Sequence, residues 1–422
     1  MNTISEAAGP VESTERILLI DVLRGFALFG ILQINWGMNY LPAGAVRSTL
    51  NFFFESKFWP LFSFLFGLGF AVQLIRAEEK GRPIVVRYLW RILLLFLIGV
   101  AHHTMVYGSD VVHRYAIAAA PLLLFARLRP ALLLASAALV FAFGIAPGLN
   151  LADGRHFWQR ANPEMAEAER LFTAREQATA DTRRDVAAAR GGYAGRIAVG
   201  VAGLSERRFR HVLHLHQLKN SAGYLCLFVL GLWAGRRRIL HEPTRHRRLL
   251  FGLLGVGWVV GLAGTTIASF PDWSTRMGIT TPEWLTPWRL PYNIGSTALM
   301  LGYLSAVTLL FTYRARVRRL LMPLAAVGRM SLTNYVMQGV MFTALTGNGS
   351  LFPRGVIGSP LGEGWRIVLI FVVFATQIVY SNVWFRHFQF GPIEWVWRSL
   401  TWFRWQPLRV KRAGAPILAP VA

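Results

Sequence analysis

Ten apolar runs of membrane length, set between short basic connections, restrict this chain to one kind of fold. They lie near 17–37, 52–76, 88–107, 112–128, 130–151, 219–236, 248–270, 290–313, 322–346 and 366–386. About 20 apolar residues cross a bilayer core as a helix, the one local structure that satisfies its own backbone groups away from water. Basic residues gather in alternate connections. Arg76, Lys80, Arg82 and Arg87 follow the second run, Arg127 and Arg129 the fourth, and Arg236, Arg237, Arg238, Arg245, Arg247 and Arg248 the sixth. Arg314, Arg316, Arg318 and Arg319 follow the eighth, and Arg398, Arg404, Arg409, Lys411 and Arg412 occupy the tail. Because cytoplasmic loops are the basic ones, this alternation puts both termini in the cytoplasm. The expected fold is all-α: a polytopic membrane helix bundle of about ten transmembrane helices, with N- and C-termini cytoplasmic.

Composition agrees, with 54% apolar and 16% charged residues and a mean hydropathy of +0.40. A net charge of +24 would ordinarily suggest nucleic acid. Here the arginines encode topology instead, so no nucleic-acid partner is expected. Cys226 is the single cysteine, which excludes an intramolecular disulfide. The polar start leads into the first run without a cleavable signal sequence. Four segments follow: helices 1–5 over 1–151, an extracytoplasmic polar insertion over 152–218, helices 6–10 over 219–400, and a basic cytoplasmic tail over 401–422. The insertion has helical composition between Ala161 and Arg190, and its arginines do not disturb the topology, since long loops translocate largely regardless of charge. His211, His214 and His216 near its end have the spacing of metal ligands, but nothing completes a set, and no metal is expected.

Charges inside membrane-length runs mark function by default. Asp21 and Arg24 stand at i,i+3 in the first run and share a face. Asn35 follows Arg24 by eleven residues, three turns further along that face, about 16 Å away. The third run ends in Gly99-Val100-Ala101-His102-His103, with Asp110, His113 and Arg114 immediately after. Histidine is a natural base near neutral pH, and a nearby carboxylate orients it and supports its cationic form. His102 follows Arg91 by eleven residues and shares its face, whereas His103 diverges by about 100°. His102 is therefore the favoured base, with His103 the alternative, and Asp110 and Arg114 are spaced to pair. In the ninth run, Ser331, Asn334, Tyr335 and Gln338 make a polar stripe of the kind that also simply joins helices. Arg24, Arg91 and Arg329, at comparable depth on three helices, make a cytoplasm-facing basic pocket if those helices are neighbours. Arginine's planar fork suits phosphate.

Several stretches carry a family resemblance. These are Asp21-Val22-Leu23-Arg24-Gly25-Phe26-Ala27-Leu28-Phe29-Gly30-Ile31 with Asn35, Leu65-Phe66-Gly67-Leu68-Gly69-Phe70, and the Gly99…His102…Asp110…Tyr115-Ala116 pattern. Gly328-Arg329-Met330-Ser331-Leu332-Thr333-Asn334-Tyr335 and Phe390-Gly391-Pro392-Ile393-Glu394-Trp395-Val396-Trp397-Arg398 complete the set. Together they resemble the bacterial YeiB-like family of inner-membrane proteins (domain of unknown function 418) over nearly the whole chain except 152–218. That family is distantly similar to transmembrane acyltransferases such as heparan-α-glucosaminide N-acetyltransferase and bacterial sugar O-acyltransferases. The resemblance implies a bacterial inner-membrane protein that takes an acyl group from cytoplasmic acyl-CoA and delivers it across the membrane. Arg24 matches the arginine of the acyltransferases' first helix. Eleven places on, the bacterial O-acyltransferases carry histidine, whereas Asn35 stands here as in the heparan enzyme. That enzyme's catalytic histidine lies in the loop after the first helix, and residues 36–50 here contain none.

The combined expectation is a transmembrane acyltransferase using acetyl-CoA or another acyl-CoA as donor substrate. Arg24, Arg91, Arg329 and Asn334 would bind the donor. His102 would be the base, Asp110 its orienter, and Asn35 or Gln338 the oxyanion donor. Partners would be acyl-CoA, a carbohydrate or small-molecule acceptor and membrane lipids, and a homodimer is compatible with the sequence. Two rivals use the same residues: a permease for a small anionic metabolite, and a noncatalytic lipid-binding protein.

Overall fold

In a computed structural model of the chain, residues 17–38, 45–81, 83–107, 110–145, 215–269, 289–346 and 363–410 are described, with isolated residues at 186, 194 and 195. The insertion over 152–218, with His211 and His214, falls almost wholly outside them, whereas His216 lies at the start of the helix Leu215–Arg236. The described residues fold into helices, joined by turns and one isolated bridge between Phe388 and Arg409. The helices are α1 (Leu18–Leu32), α2 (Ala45–Phe54), α3 (Phe58–Glu79), α4 (Val85–Met105), α5 (Val112–Ala119), α6 (Leu122–Phe125) and α7 (Pro130–Ile145). After the insertion come α8 (Leu215–Arg236), α9 (Arg247–Ser269), α10 (Arg289–Tyr313), α11 (Ala315–Arg329), α12 (Ser331–Thr346), α13 (Glu363–His387) and α14 (Pro392–Thr401). A π-helical turn, Gln33–Met38, extends α1.

The pattern of exposure is that of a membrane protein. Leu89, Leu93 and Leu97 on α4, Val256 and Val259 on α9, and Val368, Phe371, Val372 and Val379 on α13 point outward. Thr333, Asn334 and Gln338 on α12, with Gln377 and Ser381 on α13, point inward. Such broad outward apolar faces suit lipid, and small or polar side chains inside suit helix association within it. Among the described residues six helical stretches are long and apolar enough to cross: Leu18–Trp36, Thr49–Glu79, Val85–Met105, Arg247–Thr266, Tyr292–Tyr313 and Ile367–His387.

Two of the other expected spans are divided, and one of the six bends, each at a definable point. The fourth divides into α5 and α6 at Pro121, which lacks the N–H a continuous helix needs. The ninth divides at Met330, whose backbone (φ −116°, ψ 46°) leaves the helical region, so α11 and α12 are separate rods. The second bends at Ser56 and Lys57 between α2 and α3.

Close packing sets the frame around the site. A Cβ at Gly25 would overlap the Leu324 carbonyl oxygen on α11, and one at Gly328 would overlap the Asp21 carbonyl oxygen on α1. These two glycines let the backbones of α1 and α11 touch. Gly328→Val should therefore lower the thermal stability of the detergent-solubilised protein by about 3 kcal/mol, the upper range for overpacking. Gly252→Ala on α9, where a Cβ meets nothing within 4 Å, should cost nothing. Equal melting temperatures for both variants would refute this packing.

The chain ends in a clasp. Gly391 and Pro392 start α14, which lies against α4 and α12. Glu394 accepts hydrogen bonds from Leu332 N (2.7 Å), Thr333 N (3.0 Å) and the Thr333 hydroxyl, closing off the N-terminus of α12. Trp397 Nε1 donates to the Arg91 carbonyl (3.0 Å) and Trp90 Nε1 to the Leu400 carbonyl (3.0 Å), tying α14 to α4.

Candidate functional site

At the end of α4 the chain turns sharply, with Val106 N and Tyr107 N both donating to the His102 carbonyl (2.9 and 2.8 Å). Gly99 permits the return, because a Cβ there would overlap His113 N at the start of α5. Asp110 is thereby folded back beneath the histidines. Its Oδ1 lies 2.8 Å from His102 Nδ1, and its Oδ2 lies 3.0 Å from His113 Nδ1. Oδ2 also accepts from Val112 N (2.9 Å) and His113 N (3.3 Å), capping α5. The Asp110 side chain is 0% exposed, that of His102 2% and that of His113 14%. Burial pushes the Asp110 carboxyl up, but hydrogen bonds and charge from His102 and His113 outweigh it and hold it at about 2. Asp110 is thus a carboxylate at neutral pH, shared by two imidazoles.

With Nδ1 on the carboxylate, Nε2 is the reactive nitrogen of His102. It is buried and has no hydrogen-bond partner among the described residues. It faces Gly339 of α12, where a Cβ would overlap it, and the Tyr335 ring stands edge-on to the imidazole at 5.5 Å between centroids. The Tyr335 hydroxyl accepts from Val111 N at 3.4 Å, fixing the α4–α5 turn to α12.

One expectation changes here. Arg114 forms no ion pair with Asp110, whose two carboxylate oxygens the histidines occupy, and lies near the Tyr224 hydroxyl of α8 instead. His103 does point away from His102, yet it is equally buried and packs edge-on against His113 at 5.1 Å. The returning turn covers both faces of α4.

Eleven residues back along α4, about 16 Å away, stands Arg91. Its Nη1 donates to Gln73 Oε1 on α3 (2.9 Å), and its guanidinium stacks on Trp397 of α14 at 4.1 Å. Gln73 in turn donates to the Gly69 carbonyl (3.0 Å). A Cβ at Gly69 would lie 2.9 Å from Arg24 Nη2, so Arg24 crosses α3 one turn from Gln73. Arg24 also meets Asp21 Oδ1 at 3.5 Å and is 30% exposed. Arg24 and Arg91 are near enough to repel one another, and no carboxylate pairs with Arg91 among the described residues. Two arginines held together this way are suited to an anion. Arg329 is turned towards α13 instead, stacked on Phe385 at 3.8 Å and donating to the Gln389 carbonyl at 3.4 Å.

The polar stripe of α12 joins helices. Asn334 is fully buried and directs both Nδ2 hydrogens to Val327 O and Ser381 Oγ, each at 3.1 Å. Gln338 Nε2 donates to Gln377 Oε1 (3.0 Å), and Gln377 Nε2 to Asn334 O (3.0 Å). Asn35 lies half-buried in the π-helical turn after α1. Among the described residues no group of three His, Cys, Asp or Glu side chains is arranged to hold a metal.

Residues 234–404 match the family described as Protein of unknown function (DUF418). The uncharacterized protein YxaH of Bacillus subtilis (strain 168) is 30% identical over 426 residues, covering 95% of this chain and 98% of its own. This chain belongs to the DUF418 family. An uncharacterized 39.9 kDa protein from the amylase 3′ region of Bacillus acidopullulyticus is 25% identical over 413 residues (96% and 99%). The uncharacterized protein YeiB of Escherichia coli (strain K12) is 24% identical over 411 residues (92% and 96%). The DUF418 match holds Arg329, Asn334 and Gln338 but begins after Arg24, Arg91, His102 and Asp110, which only the full-length relatives span.

Three partners complete the site. His113, already visible in the sequence beside Asp110, takes the second carboxylate oxygen at i+3. Gln73 and Trp397 carry no local signal, since they reach Arg91 from helices distant in sequence.

Proposed function

We propose that this protein is an acyltransferase of the bacterial inner membrane, moving an acetyl or other acyl group from cytoplasmic acyl-CoA to a hydroxyl or amine acceptor on the outer side. The observation that carries this reading is the buried His102–Asp110 pair, with Nε2 uncommitted, on the helix that presents Arg91 beside Arg24 about 16 Å away. Arg24 and Arg91 hold the donor's phosphates. His102 Nε2 removes the acceptor's proton as the acceptor attacks the thioester carbonyl, the C–S bond breaks, and CoA leaves as the thiolate. Asp110 fixes the histidine's tautomer and supports its cation. The resemblance to transmembrane acyltransferases points the same way. Labelled acetyl-CoA, purified protein and a panel of sugar and amine acceptors test it: product should form in detergent, without a gradient.

A permease is the second reading, favoured by one feature. A carboxylate shared by a buried and a partly exposed histidine also suits proton relay. Transport only in sealed vesicles, with no acyl transfer in detergent, would establish it.

Coenzyme A should raise the melting temperature of the solubilised protein by mass action. Arg91→Lys keeps the charge but loses the planar fork that meets Gln73 and Trp397, so it should weaken CoA binding about tenfold. No shift at millimolar CoA would exclude the donor site. Topology has its own check. A reporter active only outside the cytoplasm should work when fused within 160–210 and be silent after Arg238 or Arg412, and activity at either of the latter positions would overturn the orientation.

A further inference from the structure

Among the described residues, Lys57 is the lysine whose side chain the fold encloses completely. It is 0% exposed at the bend between α2 and α3, inside a membrane-length apolar stretch. Its ammonium donates one hydrogen bond, to the Asn51 carbonyl at 3.3 Å, and lies 5.4 Å from the centre of the Tyr292 ring on α10. Glu55 is near enough to be felt electrostatically but forms no ion pair with it among the described residues. The bend is strained: Ser56 has φ +58°, a left-handed backbone unusual for serine.

Polar atoms around Lys57 are left unanswered. The Tyr292 hydroxyl lies among Glu55, Ser56 and Ser296 without a well-formed hydrogen bond to any of them. Ser296 Oγ, on a side chain 2% exposed, and Asn51 Oδ1 are likewise buried without a partner. An enclosed cation with one hydrogen bond, against a tyrosine whose hydroxyl adjoins Ser296, is costly unless a ligand completes it. The N-terminus of α3, a 22-residue helix, adds positive potential at the same point.

We infer that Lys57, Tyr292 and Ser296 form a second small-molecule site that binds the carboxylate or phosphate of a hydroxylated anion. Lys57, both hydroxyls and the helix N-terminus meet the anionic group, while Asn51 Oδ1 and Glu55 accept from the ligand's hydroxyls. The site is separate from the arginine pair, because Lys57 precedes Gln73 by sixteen residues, about 24 Å along α3. It lies at the histidine end of the bundle, where the Tyr115 hydroxyl of α5 reaches the Trp59 carbonyl at 2.9 Å. The assignment stands whether or not acyl transfer occurs.

The test is thermal unfolding of the full-length protein in detergent at constant ionic strength, with gluconate, glycerol phosphate, acetate, glucose or chloride added. Gluconate, glycerol phosphate or both should stabilise it more than acetate, and glucose and chloride should not. Gluconate alone identifies a carboxylate ligand, and glycerol phosphate alone a phosphate. Tyr292→Phe and Ser296→Ala should each weaken the apparent affinity, and Lys57→Gln should weaken it about tenfold or more. If Lys57→Gln does not fold, the two hydroxyl variants decide. Coenzyme A binding should be unchanged in all three, so its loss in wild type would strike the donor site alone. No stabilisation by either hydroxylated anion, an equal effect of glucose, or affinity unaltered in Tyr292→Phe and Ser296→Ala overturns the site.

Discussion

His102→Ala should leave coenzyme A binding intact and lower acyl transfer by about two to four orders of magnitude, the usual scale for removing a positioned base. Binding survives because the arginine pair stands some three helical turns away on α4, held by Gln73 and Trp397 rather than by the imidazole. Transfer falls because Nε2 of His102 is the one ring nitrogen of the shared pair of histidines that is buried and uncommitted. A second substitution probes the same atom from the opposite side. Gly339→Ala sets a methyl where Nε2 lies, so the ring must leave its line with Asp110 Oδ1. It should lose most transfer activity with His102 still present. The assay is single-turnover transfer from labelled acetyl-CoA, with CoA-induced melting shifts measured alongside. Full activity in His102→Ala would remove the base assignment. Loss in His103→Ala with His102→Ala active would move it to the neighbouring ring, which packs on His113.

Helical register was the most legible layer of this chain. Eleven residues separate Arg91 from His102, and a continuous α4 makes that three turns whatever surrounds it. Asp110 was within reach of His102 in sequence, and only a turn at the end of α4 was needed to bring them together. Long-range contacts were not legible. Apolar periodicity says which face of a helix is buried, not which helix covers it. Nothing local told that Trp397 would lie on Arg91, that Arg329 would turn towards Phe385, or that the Asn334–Gln338 stripe would be used on Gln377 and Ser381. Breaks were half-legible. Pro121 announces one, whereas the breaks at Met330 and Lys57 are accompanied by contacts with Glu394 and with Asn51 and Tyr292 that no local pattern gives. Arg114 shows the limit of spacing rules. At i,i+4 from Asp110 it was placed to pair, and two imidazoles and two backbone N–H groups already held the carboxylate.

That crowding makes the effect of Asp110→Asn unusually specific. One carboxylate oxygen, Oδ2, accepts from Val112 N, His113 N and His113 Nδ1, and the other meets only His102 Nδ1. An asparagine must keep its carbonyl oxygen where the two backbone donors point, because an NH2 group there would face N–H groups in a buried place. Its NH2 then faces His102 and donates to Nδ1, which moves the imidazole proton to Nε2. The base would be present, well placed and already protonated at the atom that must accept. A wrong tautomer of this kind costs on the order of 10⁴ in a Ser-His-Asp triad, so Asp110→Asn should approach the loss expected for His102→Ala. Its stability should fall less than that of Asp110→Ala, which leaves two imidazoles and two backbone N–H groups without their acceptor. Breaking a buried charged pair costs about 3–5 kcal/mol. Melting curves and transfer rates of the two variants separate these effects, with His102 nitrogen shifts by NMR reporting the tautomer directly. An Asp110→Asn protein that melts like wild type, keeps its proton on Nδ1 and transfers at full rate would show that Asp110 caps α5 and does nothing for His102.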